Sequence, residues 1–429
     1  RLGSNLILTR LLAPEAFGLM ALIFAIHSGL QLLTELGVRQ AIIRSPNGED
    51  PDFLRTAWTI KVLQFSFVTL LIWILSGVLG LIQAAPFIDL GKTVYAEPQL
   101  VPILAVSGLI FLLGGLRPTT IALANRNLKM GRVVLTEFSQ IFFAAIATVG
   151  FALINPSAWA IVTGVIVGYA VELILCFILF REVPMRFQWD RRYVREIWDF
   201  GKWLLGASFL NFIRTRGDRF ILGGFLDVAT FGIYAVAMIW IDLIVQLLKR
   251  VVMRTNFAAL SEMGRDSDER LSAGFRKTRL LQDACSFGSA AFVFLVGPPL
   301  AVFLYPENFE GVATLLPVLS LILILERYVV FGQLAMRAGD TRGIATLTFI
   351  RAVLTLTLIP LGLTFVDWPH ALFIVALNGA FGFAFIMRMA RKHNAPIRML
   401  VEYAVLTAVV AAYSVYTIWA FGPPTFSAP

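Results

Sequence analysis

The sequence predicts an all-α polytopic membrane protein, with two parallel six-helix repeats and a further C-terminal helix. Three observations predict it. Of 429 residues, 58% are hydrophobic and 15% charged, whereas soluble domains run at about 45–50% apolar and about 25% charged. Mean hydropathy is +0.79. Apolar stretches long enough to cross a bilayer core, which takes ~20 residues, recur along the chain. An apolar motif near the start also returns 214 residues later.

The expected spans lie near 17–38, 56–82, 100–124, 133–153, 158–180, 203–226, 228–252, 281–304, 312–336, 344–366, 369–390 and 399–421. A partial span at 2–12 precedes them. Helices are expected because lipid leaves no partner for a free backbone group. Alternate connections are basic: 39–55, 125–132, 181–202, 249–279, 337–342 and 388–398 hold almost all loop Lys and Arg. The opposite connections hold only Lys92. The positive-inside rule places the basic set in the cytoplasm.

The repeat pairs "LLAPEAFGLMA" (11–21) with "FLDVATFGIYA" (225–235). Leu12, Phe17, Gly18 and Ala21 fall on Leu226, Phe231, Gly232 and Ala235. Pro102 falls on Pro317, and "NRN" (125–127) on "DTR" (340–342). An even number of spans separates the copies, so they run parallel about an axis along the membrane normal. The expected organisation is an N-terminal bundle at 1–180, a basic linker at 181–202, a C-terminal bundle at 203–392 and an added helix in 393–429. On this register about a dozen residues of the first helix are expected to precede Arg1.

Charges inside the spans are the candidate site, since intramembrane ionisable groups face protein or water and mark pathways. "GASFLNFIRTRGDRFILGGFL" (206–226) carries Arg214, Arg216, Asp218 and Arg219. At 100° per residue, Asn211, Arg214 and Asp218 share a face. Arg214 and Asp218, four apart, suit mutual neutralisation. Arg214 lies roughly 17 Å along from Trp203, near mid-membrane, and Arg219 within snorkelling reach of the outer end. His27, Gln31 and Glu35 form a stripe at i, i+4, i+8, and Asp242 and Gln246 stand four apart on the repeat-related helix. Gln31, Gln246 and His27 are expected to line a path, with Glu35 and Asp242 as ion-coupling candidates. The plainer reading is ion pairing and hydrogen bonding that lock helices together. Lys61, Arg117, Glu137, Glu172, Glu326, Arg327 and Arg351 are further deep charges.

Other chemistry is not indicated. Cys176 and Cys285 lie in apolar runs, which suits buried thiols. His27, His370 and His393 are far apart, and no metal-ligand spacing or GxxxxGK[ST] loop occurs, so no metal or cofactor is expected. The run 181–200 interleaves arginines with Phe187, Trp189, Tyr193 and Trp198, which suits anionic lipid head groups or equally a basic linker. Nothing points to nucleic acid.

"LILTRLLAPEAFGLMALI" (6–23) with "ELGVRQAIIR" (35–44) resembles the start of the polysaccharide flippases. These form a branch of the multidrug/oligosaccharidyl-lipid/polysaccharide exporter superfamily. The likeness is to the O-antigen, colanic acid and teichuronic acid type. "DRFILGGFLDVATFGIYAVA" (218–237) is similar to that family's second-half motif. The resemblance implies two six-helix lobes around a central cavity that opens to each side in turn. It also implies a polyprenyl-diphosphate-linked glycan as cargo, in a bacterial inner membrane, with polymerase and export machinery as partners. Family cavities are cationic, and Arg214, Arg216 and Arg219 are the counterparts here. The span at 399–421 has no partner in the repeat; fourteen-helix relatives imply one more helix after Pro429. An ion-coupled multidrug antiporter of the same superfamily is the alternative, and the arginines argue against its cationic cargo. A membrane glycosyltransferase or glycan ligase would need a sizeable external domain, and the longest outer connection is about 17 residues (83–99).

Overall fold

The structure, a computed structural model, describes residues 2–34, 37–87, 89–263, 268–393, 395 and 398–424. Side chains at 2, 4, 33, 200–211, 214–215, 251–273 and 337 lie outside the description. The chain forms two compact units, Arg1–Phe212 with Leu222–Gly232 and Ile213–Ile221 with Ile233–Pro429. The protein is an all-α polytopic membrane protein. Among the described residues nine helices or helix runs are long and apolar enough to cross a membrane, ten if one bent pair counts as a span.

Unit 1 contains α1 (Leu2–Leu11), α2 (Pro14–Gln31), α3 (Val38–Arg44), α4 (Pro51–Ala84), α5 (Leu100–Ser107), α6 (Leu109–Leu116), α7 (Thr120–Arg126), α8 (Met130–Ile154), α9 (Ala158–Leu179) and most of α10 (Arg191–Gly223). The span expected at 17–38 is shorter than its hydropathy suggests. Helix α2 ends at Gln31, a 3-10 turn follows, and Gly37 takes φ +64°. That left-handed conformation breaks the helix and suits a residue without Cβ. His27 and Gln31 of the expected stripe lie on α2, and Glu35 lies outside the described residues.

The span at 100–124 is broken twice, and α4 satisfies the backbone groups that the breaks release. Thr69 Oγ1 donates to Gly108 O at 3.2 Å, Trp73 Nε1 to Ala105 O at 3.0 Å, and Trp58 Nε1 to Leu116 O at 3.1 Å. This is how lipid-embedded helices tolerate breaks. The expected linker is structured. Tyr193 donates to Asp50 at 2.6 Å, Glu196 accepts from Ser45 at 2.5 Å, and Ile197 joins a core with Phe53, Leu54 and Ile42.

At the start of α2, Gly18 meets the first turn of α11 (Val228–Met263). A Cβ on Gly18 would overlap the Val228 carbonyl, and a Cβ on Gly232 would overlap the Pro14 carbonyl. The contact is reciprocal, and the partners are repeat equivalents.

Unit 2 holds the rest of α11, then α12 (Asp268–Leu304), α13 (Gly311–Leu319), α14 (Leu321–Leu325), α15 (Val329–Arg337), α16 (Thr341–Phe365), α17 (Trp368–Ala376), α18 (Phe383–Lys392) and α19 (Met399–Phe421). The run α13–α15 is the core of this unit: 78% of its apolar window is buried, against 11% for α19. The stretch expected as a basic loop at 249–279 is largely helical among the described residues, continuing α11 and opening α12. The run α13–α15 breaks at Glu326–Tyr328, where Arg279 and Gln282 of α12 donate to the Arg327 and Glu326 carbonyls at 2.7 and 3.2 Å. A break between α17 and α18, with Gly382 at φ +77°, is held by Arg351 of α16. Its guanidinium reaches Phe381 O at 3.1 Å and Gly379 O at 2.9 Å. That accounts for one deep charge as a backbone donor. Between α15 and α16, Asp340 accepts from Gly343 N at 3.0 Å, Lys392 Nζ at 2.7 Å and His393 Nε2 at 2.9 Å.

Candidate functional site

The charged segment of α10 and the polar face of α11 meet within unit 2. Arg216 Nη1 donates to Asp242 Oδ2 at 3.2 Å, and Arg219 Nη2 to the same oxygen at 2.9 Å. Arg216 and Asp242 keep 32% and 36% of their side-chain surface open, while Arg219 keeps 15%. The pair is thus partly reachable from outside the protein. Arg219, expected to snorkel, is instead anchored on Asp242. Asp218, expected opposite Arg214, is buried and accepts from Tyr234 Oη at 2.6 Å. Tyr234 is fully buried and sits edge-on to Trp368, ring centroids 6.0 Å apart. Among the described side chains, two guanidiniums face two carboxylates, and only Asp242 is an accessible acid.

The side chains of Arg214 and Asn211 lie outside the described set. Gln246, one turn beyond Asp242 on α11, is exposed. His27 does not line an open path: it is buried, bonded through Nε2 to Ser107 Oγ at 2.8 Å and packed against Phe111. Gln31 faces a cavity of about 420 Å³ inside unit 1. Arg216, Arg219 and Asp242 are brought together; His27 and Gln31 belong to different surroundings.

Two further polar constellations escape spacing arguments. In unit 1, Arg117 Nη1 binds Glu172 Oε1 at 2.6 Å while Lys61 Nζ donates to Arg117 O at 3.0 Å. In unit 2, Arg327 forks onto Asp283 at 2.9 and 2.8 Å, and Arg279 donates to Glu402 at 3.0 Å. Arg279 counts as a loop charge by sequence, yet it is buried. The sequence signal was a deep charge at Lys61, Arg117, Glu172 and Arg327, and their partners come from other helices. Among the described residues no three His, Cys, Asp or Glu side chains converge as metal ligands.

A family model described as "Polysaccharide biosynthesis protein" matches residues 7–314. The lipopolysaccharide biosynthesis protein WzxC of Escherichia coli (strain K12) is 22% identical over 322 residues, covering 74% of this chain. The chain spans 62% of the length of WzxC. Two solved structures share the fold. An inward-facing multidrug resistance MATE family transporter of the MOP superfamily aligns with TM-score 0.71 and 13% identity, over 92% of this chain and 94% of that one. The lipid II flippase MurJ, in an inward closed conformation, aligns with TM-score 0.64 and 13% identity, over 97% and 95%.

Proposed function

Because this chain belongs to the polysaccharide biosynthesis protein family whose model spans residues 7–314, we propose that it is a flippase and not an enzyme. Its cargo is a polyprenyl-diphosphate-linked oligosaccharide, moved by alternating access from the cytoplasmic to the outer leaflet of the bacterial inner membrane. The observation that carries this reading is the accessible Arg216–Asp242–Arg219 cluster. Asp242 is an internal counter-ion that keeps the arginines neutralised when no substrate is present. A diphosphate displaces it, since guanidinium groups bind phosphate oxygens through paired donors. The carboxylate then competes the head group off again, which favours release over retention. Gln246 on the same face meets sugar hydroxyls, and the polyprenyl tail stays in lipid.

A cationic drug has no place at a carboxylate already held by two arginines. Asp242 is accordingly a counter-ion here in preference to a coupling-ion ligand. The test is reconstitution: purified protein in proteoliposomes moves a lipid-diphosphate-linked oligosaccharide between leaflets, and Arg216→Gln moves it more slowly. Equal flux in protein-free vesicles, or in well-folded Arg216→Gln and Arg219→Gln proteins, refutes the reading.

A further inference from the structure

The two units place a similar charged device at the break of a discontinuous helix, and they balance it differently. In unit 2, Arg279 and Arg327 are matched by Asp283 and Glu402. Two cations meet two anions, and Glu402 comes from α19. In unit 1, among the described residues, the ion pair formed by Lys61 and Arg117 is that of Arg117 with Glu172. The described hydrogen bond of Lys61 goes to a neutral acceptor, the carbonyl of Arg117. Around the adjoining cavity the cations Arg39, Lys61 and Arg117 outnumber the described carboxylates Glu137 and Glu172, and such an excess in a membrane-embedded wall is costly unless something matches it.

The wall is not closed. Arg39, Lys61, Arg117, Glu137 and Glu172 line the cavity of about 420 Å³, together with the amide of Asn125. Asn125 Oδ1 is buried with no hydrogen-bond partner, which leaves an acceptor for a hydroxyl. A fork-shaped guanidinium beside a point-like ammonium offers donors in several directions, which suits a tetrahedral oxyanion. The volume exceeds what one such group occupies and leaves room for an attached polyol.

We propose that this cavity binds a phosphoryl group, carried by a polyol, against Lys61 and Arg117. The site is separate from Arg216, Arg219 and Asp242 and does not rest on the transport reading. Glu172 competes with the ligand for Arg117 and sets its affinity low. The same chemistry is offered by a soluble phosphate ester and by the head group of an anionic phospholipid.

The test is binding, not flux. The full chain, purified in maltoside at fixed ionic strength, is titrated calorimetrically with glycerol 1-phosphate and, separately, with glucuronate. Phosphatidylglycerol retention is read by native mass spectrometry. Wild-type protein is expected to bind glycerol 1-phosphate, phosphatidylglycerol or both, and which one it holds identifies the source. Lys61→Met loses that binding. Glu172→Gln binds about tenfold tighter, as removal of a competing buried charge implies. That gain cannot come from misfolding, so it decides the matter even where Lys61→Met fails to fold. Four results overturn the proposal: no binding of either phosphoryl ligand, binding that persists in folded Lys61→Met, unchanged affinity in Glu172→Gln, or glucuronate bound as tightly as the phosphate ester.

Discussion

One oxygen of Asp242 serves two guanidinium groups, 3.2 and 2.9 Å away. Asp242→Asn keeps the shape and removes the charge. The freed arginines should hold a diphosphate longer, so KM for the lipid-linked glycan falls and kcat falls with it, the signature of over-stabilised bound substrate. A raised KM in initial-rate flipping assays would contradict the counter-ion role. Outside the spans, Asp340 is held by Lys392, the Gly343 amide and His393, which depress its carboxyl well below the usual range. A depressed folded value adds stability above the unfolded value of about 3.9 and loses it as pH falls through the folded one. The melting-temperature gap between wild type and Asp340→Asn should therefore stay constant from about pH 8 to pH 5 and close only below about pH 4. A gap that changes between about pH 6 and 8 would place the control on a histidine instead. The sequence made each of these residues visible as a charge, but not its partner. Arg216 and Asp242 are 26 positions apart, and Arg279 and Glu402 are 123 apart. Local spacing suggested Arg214 with Asp218, and it gave no sign that Tyr234, 16 positions on, also donates to Asp218.

Helix by helix, hydropathy located most spans and missed their interruptions. The breaks near Gly108, Arg117, Arg327 and Phe381 fall inside apolar runs, and each is held by side chains of another helix. A window average has no access to those donors. It also ran α2 past Gln31, because Leu32 and Leu33 are apolar although the chain has left the α-helix. The dependence on borrowed donors is testable. Arg351→Met removes the guanidinium from two carbonyls, and each buried group left without its donor costs about 1–3 kcal/mol. A melting temperature equal to wild type would show that the break does not need Arg351. The glycine pair makes a sharper demand. Gly18 and Gly232 face each other's helix backbones, where no flexible side chain can yield. Gly18→Ala and Gly232→Ala should each lower thermal stability, by about 1–3 kcal/mol or more. Loss from only one of them would break the reciprocity.

Across the whole molecule, the alternation of basic connections was the most informative sequence feature, because it depends on counting charge and not on tertiary contact. It requires a cysteine replacing Lys129 to react with impermeant thiol reagent from the cytoplasmic side, and one replacing Lys92 from the outer side. The reverse pattern would invert the topology. The repeat supports a further expectation, that 11–126 and 225–341 superpose as parallel bundles. On the proposed reading, charge favours outward transport. A diphosphate carries about two negative charges, and each gains about 2.3 kcal/mol per 100 mV on leaving a negative interior. Arginines inside the membrane lower the barrier to that passage. The most direct test is flux of a lipid-diphosphate-linked oligosaccharide through proteoliposomes under an imposed inside-negative potential. Wild type is compared with the Arg216→Gln, Arg219→Gln, Asp242→Asn triple variant, which removes the three bonded charges together and leaves Asp218 on the Tyr234 hydroxyl. Outward flux that rises with potential in wild type and falls by at least about tenfold in the folded variant, roughly 1.4 kcal/mol of barrier, is the expected result. Wild-type flux in the variant would contradict it.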